Sequence, residues 1–230
     1  MSMLQMAGSP AVNSPLIEFD NIYMRTDRGE DLFRGLKFTL QNGRSAVIIG
    51  GAGSGKTTLV ELMVGLSFPV SGKVTLFGET MRRRRRVIRK TRLKIGGVGG
   101  PFGLIDSLTV AENILLPLIL IGERKQVRRE RLTHLLGEFS LLNQAGQYPP
   151  SLTRVESALV MIARASIANQ PLMVIDEPAA GLDQKTYLKT LEYLVKASLA
   201  GRSMLILASE KPPIELPHTD YYTLSGGALV

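Results

Sequence analysis

Eight residues, Gly50-Gly51-Ala52-Gly53-Ser54-Gly55-Lys56-Thr57, fit the spacing G-x-x-x-x-G-K-[ST]. Glycines at this density let successive main-chain N–H groups wrap an anion with no Cβ in the way. A lysine that follows them reaches the outer phosphates of a polyphosphate, and a hydroxyl beside it can ligate Mg2+. Lys56 and Thr57 stand at those places. Gly50, Gly51, Ala52, Gly53, Ser54, Gly55, Lys56, Thr57 and Thr58 are therefore the candidate phosphate-binding residues. A second candidate is a pair of acids: Asp176 and Glu177 follow the apolar run 172–175. One carboxylate at the end of a buried strand can hold a Mg2+ shell while its neighbour polarises an attacking water. The first motif, with a strand before it and a helix after it, is specific on its own against the alternative of a flexible glycine turn; the second, alone, is weak evidence that ordinary strand-end acids could also supply. Together they point to phosphate chemistry.

Such groups need a strand end and a helix start to hold them. "SAVIIG" (45–50) is a short apolar run ending in glycine, as a buried strand would. The apolar spacing over 58–66 is helical, so the N-terminus of that helix points at the same anion. Strands are expected at 16–24, 36–41, 72–78, 172–178 and 203–210, with a closing hairpin over 220–230. Helical patterns cover 109–121, 123–140, 152–168 and 184–201, and part of the basic stretch before residue 93. Strands alternating with helices imply an α/β domain with a mostly parallel central sheet. The helix-rich stretch at about 100–165 reads as an inserted helical subdomain within a single domain over 15–230. Residues 1–14 read as a flexible tail.

The chain has 230 residues and no cysteine, which excludes disulfides. No apolar run reaches the roughly 20 residues of a membrane-spanning helix, and the start lacks the features of a signal peptide. The formal charge is +8, and nine of the 28 basic residues fall in 82–94 with no acid among them. The remainder is close to neutral, so the basic character belongs to one segment. Three readings stay open for it: a solvated helix face, docking to anionic lipid or a partner, and nucleic acid. The last is disfavoured, because no aromatics are interleaved to stack on bases.

The order of motifs resembles the ATP-binding subunit of ABC transporters, a P-loop NTPase fold with an antiparallel β edge. "GAGSGKTT" (51–58) is similar to its Walker A motif, and "LMVIDEPAAGLD" (172–183) to its Walker B strand, catalytic glutamate and D-loop. "YPPSL" (148–152) and "MIARA" (161–165) frame its signature helix. "LTVAENILLPL" (108–118) is similar to the lipoprotein-release, macrolide-export and cell-division branch. The resemblance implies ATP and Mg2+ as cofactors, with Lys56 and Thr57 on phosphate and metal, Asp176 on the metal, and Glu177 with Lys56 in catalysis. It also implies a dimer, homo- or hetero-, closing over nucleotide with Thr153 and Asp183 at the seam. A transmembrane permease subunit would hold the protein at the inner, cytoplasmic face of the membrane.

The signature pattern falls on Leu152-Thr153-Arg154-Val155-Glu156, with Arg154 and Val155 where the family has two glycines. Side chains there obstruct the approach of a partner's γ-phosphate; in the alternative reading Arg154 supplies charge to it. The Q-loop glutamine falls on Gly100, the switch histidine on Ser209 or Glu210, and the adenine-stacking aromatic near Thr26, with Tyr23 close by. His134 and His218 lie elsewhere and read as surface residues. Losing one preorganised donor costs about 10²–10³ in rate, so slow or conditional hydrolysis is expected, with nucleotide binding retained. The alternative is a catalytically impaired nucleotide sensor or scaffold that assembles a membrane complex.

Overall fold

The computed structural model describes residues 15–26 and 28–230; the tail expected over 1–14 lies outside the described residues. Alternating apolar residues make β1 (Ile17–Arg25) and β2 (Asp31–Leu40), which pair antiparallel. The turn at Asn42-Gly43 leads to β3 (Ser45–Ile49), and the glycine loop leads to α1 (Lys56–Val64). Next come β4 (Ser71–Leu76), the short β5 (Glu79–Thr80) and α2 (Arg85–Arg92), the helix expected inside the basic run. β6 (Ile95–Val98) precedes three consecutive helices, α3 (Val110–Leu120), α4 (Lys125–Glu138) and α5 (Arg154–Ser166). The chain then alternates: β7 (Leu172–Asp176), α6 (Gln184–Leu199), β8 (Ser203–Ala208), and the closing hairpin of β9 (Thr219–Ser225) and β10 (Ala228–Leu229).

Two sheets result. One is antiparallel, in the order β2-β1-β4-β5; the other has the order β10-β9-β3-β8-β7-β6. In the second, β9, β3, β8, β7 and β6 all run parallel, and only β10 is antiparallel. β3, β7 and β8 are apolar almost throughout because both faces are covered. On one face Phe19, Phe33, Phe38 and the β4 residues pack with Leu59, Leu62 and Met63 of α1. On the other, Val110, Ile114 and Leu118 of α3 pack with Val160 and Ala163 of α5 and with Leu191 and Leu194 of α6. The Arg34 N–H donates to Gly227 O at 3.1 Å and ties the two sheets together.

Several boundaries differ from the sequence reading, each for a local reason. β2 starts at Asp31, five residues early, because Gly35 adopts φ 72 inside the strand and lets it continue. β7 stops at Asp176 rather than running to 178, because Glu177 turns to φ 58. α1 ends at Val64 with Gly65 left-handed as its cap, two residues before the expected end.

Candidate active site

β3, β8, β7 and β6 are neighbours and parallel, so their carboxyl ends open along one edge, where ligand chemistry sits in such sheets. Four segments follow those ends: the glycine loop 50–55, Ser209, Glu177, and Gly99-Gly100. An open cavity of about 420 Å³ lies there, lined by Thr26, Leu32, Gly51 through Thr58, Glu177 and Ser209. Gly50 lies beneath it, its N–H donating to Ala208 O at 3.0 Å.

Gly55 caps α1 at φ 103, a conformation natural only to glycine, and a Cβ there would strike the Phe33 ring at 2.7 Å. α1 has no side-chain cap and no acid in its first turn, so its N-terminal N–H groups stay open to an anion. The buried Lys56 ammonium donates to Gly50 O and to Gly51 O at 3.1 Å, and pairs with Glu177 Oε1 at 3.2 Å. The Thr57 hydroxyl donates to Asp176 Oδ2 at 2.9 Å. Burial pushes the Asp176 carboxyl above its ordinary value, partly offset by that bond. Asp176 Oδ1 is buried with no hydrogen-bond partner among the described residues. A buried carboxylate oxygen needs a hydrogen-bond donor or a cation, and a divalent cation beside the Thr57 hydroxyl fits. Hard oxygen donors of this kind suit Mg2+.

Glu177 accepts from the Ser209 hydroxyl at 2.7 Å and from the Ser209 N–H at 3.2 Å. Gly100 sits at φ 48, and a Cβ there would fall inside contact distance of Asp176 Oδ2. The close approach of this loop to Asp176 therefore requires glycine. Arg164 of α5 holds the loop from behind, donating to Phe102 O and to Gly103 O at 2.9 Å; its burial lowers the guanidinium pKa. Asn113, fully buried, joins the next loop to α3 by accepting from Ile105 N–H and donating to Ile105, Leu108 and Thr109 carbonyls. Thr26 lines the cavity, whereas Tyr23 lies against Gly35 and does not.

A family model described as ABC transporter matches residues 33–180. The chain belongs to the ABC transporter family. It is 32% identical over 196 residues to the lipoprotein-releasing system ATP-binding protein LolD of Aquifex aeolicus, covering 83% of this chain and 86% of that one. It is 35% identical over 204 residues to the methionine import ATP-binding protein MetN of Corynebacterium diphtheriae, covering 86% of this chain and 60% of that one. Among solved structures, a dimeric ATP-binding cassette in a post-hydrolysis state, bound to ADP and Pi, superposes with a TM-score of 0.83. Identity to it is 26%, over 93% of this chain and 96% of that one. The chain is thus an ATP-binding subunit of the ABC type with the P-loop NTPase fold.

Thr153 and Asp183 do not line the cavity; both are exposed and work as helix caps. The Thr153 hydroxyl accepts from Glu156 N–H at 3.2 Å, while Glu156 Oε2 accepts from Thr153 N–H and hydroxyl at 2.8 Å each. The start of α5 thus carries a capping box, in which the Glu156 carboxylate takes the N–H and hydroxyl of Thr153. Asp183 caps α6 by accepting from the Thr186 N–H at 3.0 Å and its hydroxyl at 2.7 Å. Sequence reasoning missed the Ser209–Glu177 contact and the Arg164 brace. The first could have been sought from the adjacency of two strand ends; the second had no signal beyond an arginine in an apolar helix.

Proposed function

We propose that the chain binds Mg2+–ATP in the cavity at the α1 N-terminus and couples binding and slow hydrolysis to a separate transmembrane partner. The observation that supports this best is the meeting of Lys56, Thr57, Asp176 and Glu177, from segments more than a hundred residues apart, around one open helix N-terminus. The backbone of Gly51 to Thr58 cradles the phosphates. Thr57 and Asp176 would hold Mg2+, which supplies neutralising charge to the phosphate oxygens. Glu177 takes a proton from a water as the water oxygen bonds to the terminal phosphorus. The bond to ADP then breaks, its electron pair staying on ADP. On this reading Thr153 and Asp183 face a second subunit across the nucleotide. If Mg2+–ATP fails to raise the melting temperature, or raises that of Lys56→Ala equally, the reading is wrong.

A second reading, an impaired sensor or scaffold, draws on three features. Gly100 has no side chain to offer, Ser209 is no imidazole, and Arg154 and Val155 put side chains at the start of the signature helix. Turnover that depends on ATP concentration and disappears in Glu177→Gln removes it.

The arginines supply a contact with anionic lipid. Arg82, Arg84, Arg85, Arg86 and Arg89 are exposed and form no ion pair among the described residues, where Lys90–Glu79 is the one salt bridge of the segment. Each basic residue near an anionic surface contributes about 1 kcal/mol. Among the described residues no helix is long and apolar enough to cross a membrane. On this proposal a membrane partner holds the chain at the cytoplasmic face, with this patch against headgroups. Binding to DNA in preference to anionic vesicles at equal salt would reverse the assignment.

A further inference from the structure

Ser209 makes the two contacts that hold Glu177 from the side of β8. Its hydroxyl reaches Oε1 at 2.7 Å and its main-chain N–H reaches Oε2 at 3.2 Å, so one residue serves both carboxylate oxygens. The topology brings this about. β7 and β8 are parallel neighbours with Asp176 in register beside Leu207, so both chains leave their strands side by side. Glu177 N–H donates to Leu207 O at 2.8 Å, fixing the turn, and its φ of 58 is one that residues with side chains rarely adopt. The third contact of the carboxylate is the Lys56 ammonium at 3.2 Å.

These three contacts have different fates when a nucleotide enters. An incoming phosphate takes the Lys56 ammonium as its counter-ion, and Glu177 loses that pair. The Ser209 bonds do not involve Lys56 and survive. We propose that Ser209 is the positioning residue of Glu177, keeping its carboxylate beside the phosphate cradle after Lys56 has turned to the phosphate. A hydroxyl and a main-chain N–H thereby orient the base without an imidazole. This rests on Glu177 acting as the base in ATP hydrolysis.

The test uses the full chain and four variants: Ser209→Ala, Ser209→Thr, Glu177→Gln and the Ser209→Ala/Glu177→Gln double. A positioned general base contributes roughly 10²–10⁴ in rate, and Ser209→Ala forfeits the orientation part of it, about 10- to 100-fold in kcat. KM and the calorimetric Kd for Mg2+–ATP stay within about threefold, because no cradle contact is lost. Ser209→Thr, which keeps hydroxyl and N–H, restores most of kcat. The double variant is no slower than Glu177→Gln alone, and the same cycle read as melting temperature without nucleotide is non-additive. A Ser209→Ala kcat equal to wild type beside a slow Glu177→Gln overturns the role of Ser209 and leaves that of Glu177 standing. Additive melting shifts overturn the contact itself. Undiminished turnover in Glu177→Gln, or none in the wild type, removes the hydrolytic reading on which the proposal rests.

Discussion

Asp176 is 5% exposed, and its two carboxylate oxygens are in different situations: one accepts from Thr57, the other from no described residue. Burial raises its pKa, so the ionised form is disfavoured in the folded chain until a cation joins it. Asp176→Asn should therefore leave the melting temperature without nucleotide unchanged or higher, while abolishing the further rise that Mg2+ adds to ATP. Differential scanning fluorimetry with ATP, with and without Mg2+, reads both. Gly100 makes the opposite kind of case. Restoring the family glutamine there places a side chain on a left-handed backbone and against Asp176. Gly100→Gln should cost about 1–3 kcal/mol by denaturant titration and give no gain in turnover; a gain without loss of stability would contradict the packing described. Sequence order alone located Lys56, Thr57, Asp176 and Glu177, because each motif is local. It did not disclose that Gly100 is required by its neighbour, since that neighbour is 76 positions away.

Helix starts divide into two kinds. α3, α5 and α6 are closed by their own side chains, through Thr109–Glu112, Thr153–Glu156 and Asp183–Thr186. α1, α2 and α4 have no side-chain cap and no first-turn acid, and of these three α1 alone has a left-handed glycine at the cap position. A T-x-x-E spacing signals the closed kind, and a G-K-T spacing the open kind. Thr153→Ala should cost about 1 kcal/mol of stability, as loss of an N-cap does. Main-chain and hydroxyl donors from Thr109 and Thr153 hold Glu112 and Glu156 below the ordinary 4.5, and those of Thr186 hold Asp183 below 3.8. Depressed carboxylates stabilise the fold fully above their ordinary values, and the stabilisation is lost as pH falls through the lower folded values. Asp176 has the opposite sign, its raised pKa favouring the folded state as the carboxyl protonates. Glu156→Gln should thus lose less stability than wild type when the pH is taken below 4.5, measured as melting temperature against pH.

At the scale of the molecule, the described residues form two sheets and two hydrophobic cores. The exposed arginines of 82–89 take no part in either core. Reversing Arg85, Arg86 and Arg89 to Glu should leave stability within about 0.5 kcal/mol, as for surface substitutions generally. Co-sedimentation with phosphatidylglycerol vesicles should fall at least tenfold, and wild-type binding should weaken steeply with salt. Equal sedimentation of wild type with phosphatidylcholine vesicles would refute an electrostatic lipid contact.

Fold class, strand and helix order, and the candidate cradle and acid pair that the structure brings together were readable from the linear chain. Hydrophobic period and glycine spacing are properties of neighbours in sequence, and they survive any rearrangement of the whole. Which strand ends lie side by side was decided by the tertiary structure alone. The order β3-β8-β7-β6 sets Ser209 against Glu177 and Gly100 against Asp176. Those contacts depend on sheet pairing between distant segments, and sheet pairing is a choice that no local pattern encodes.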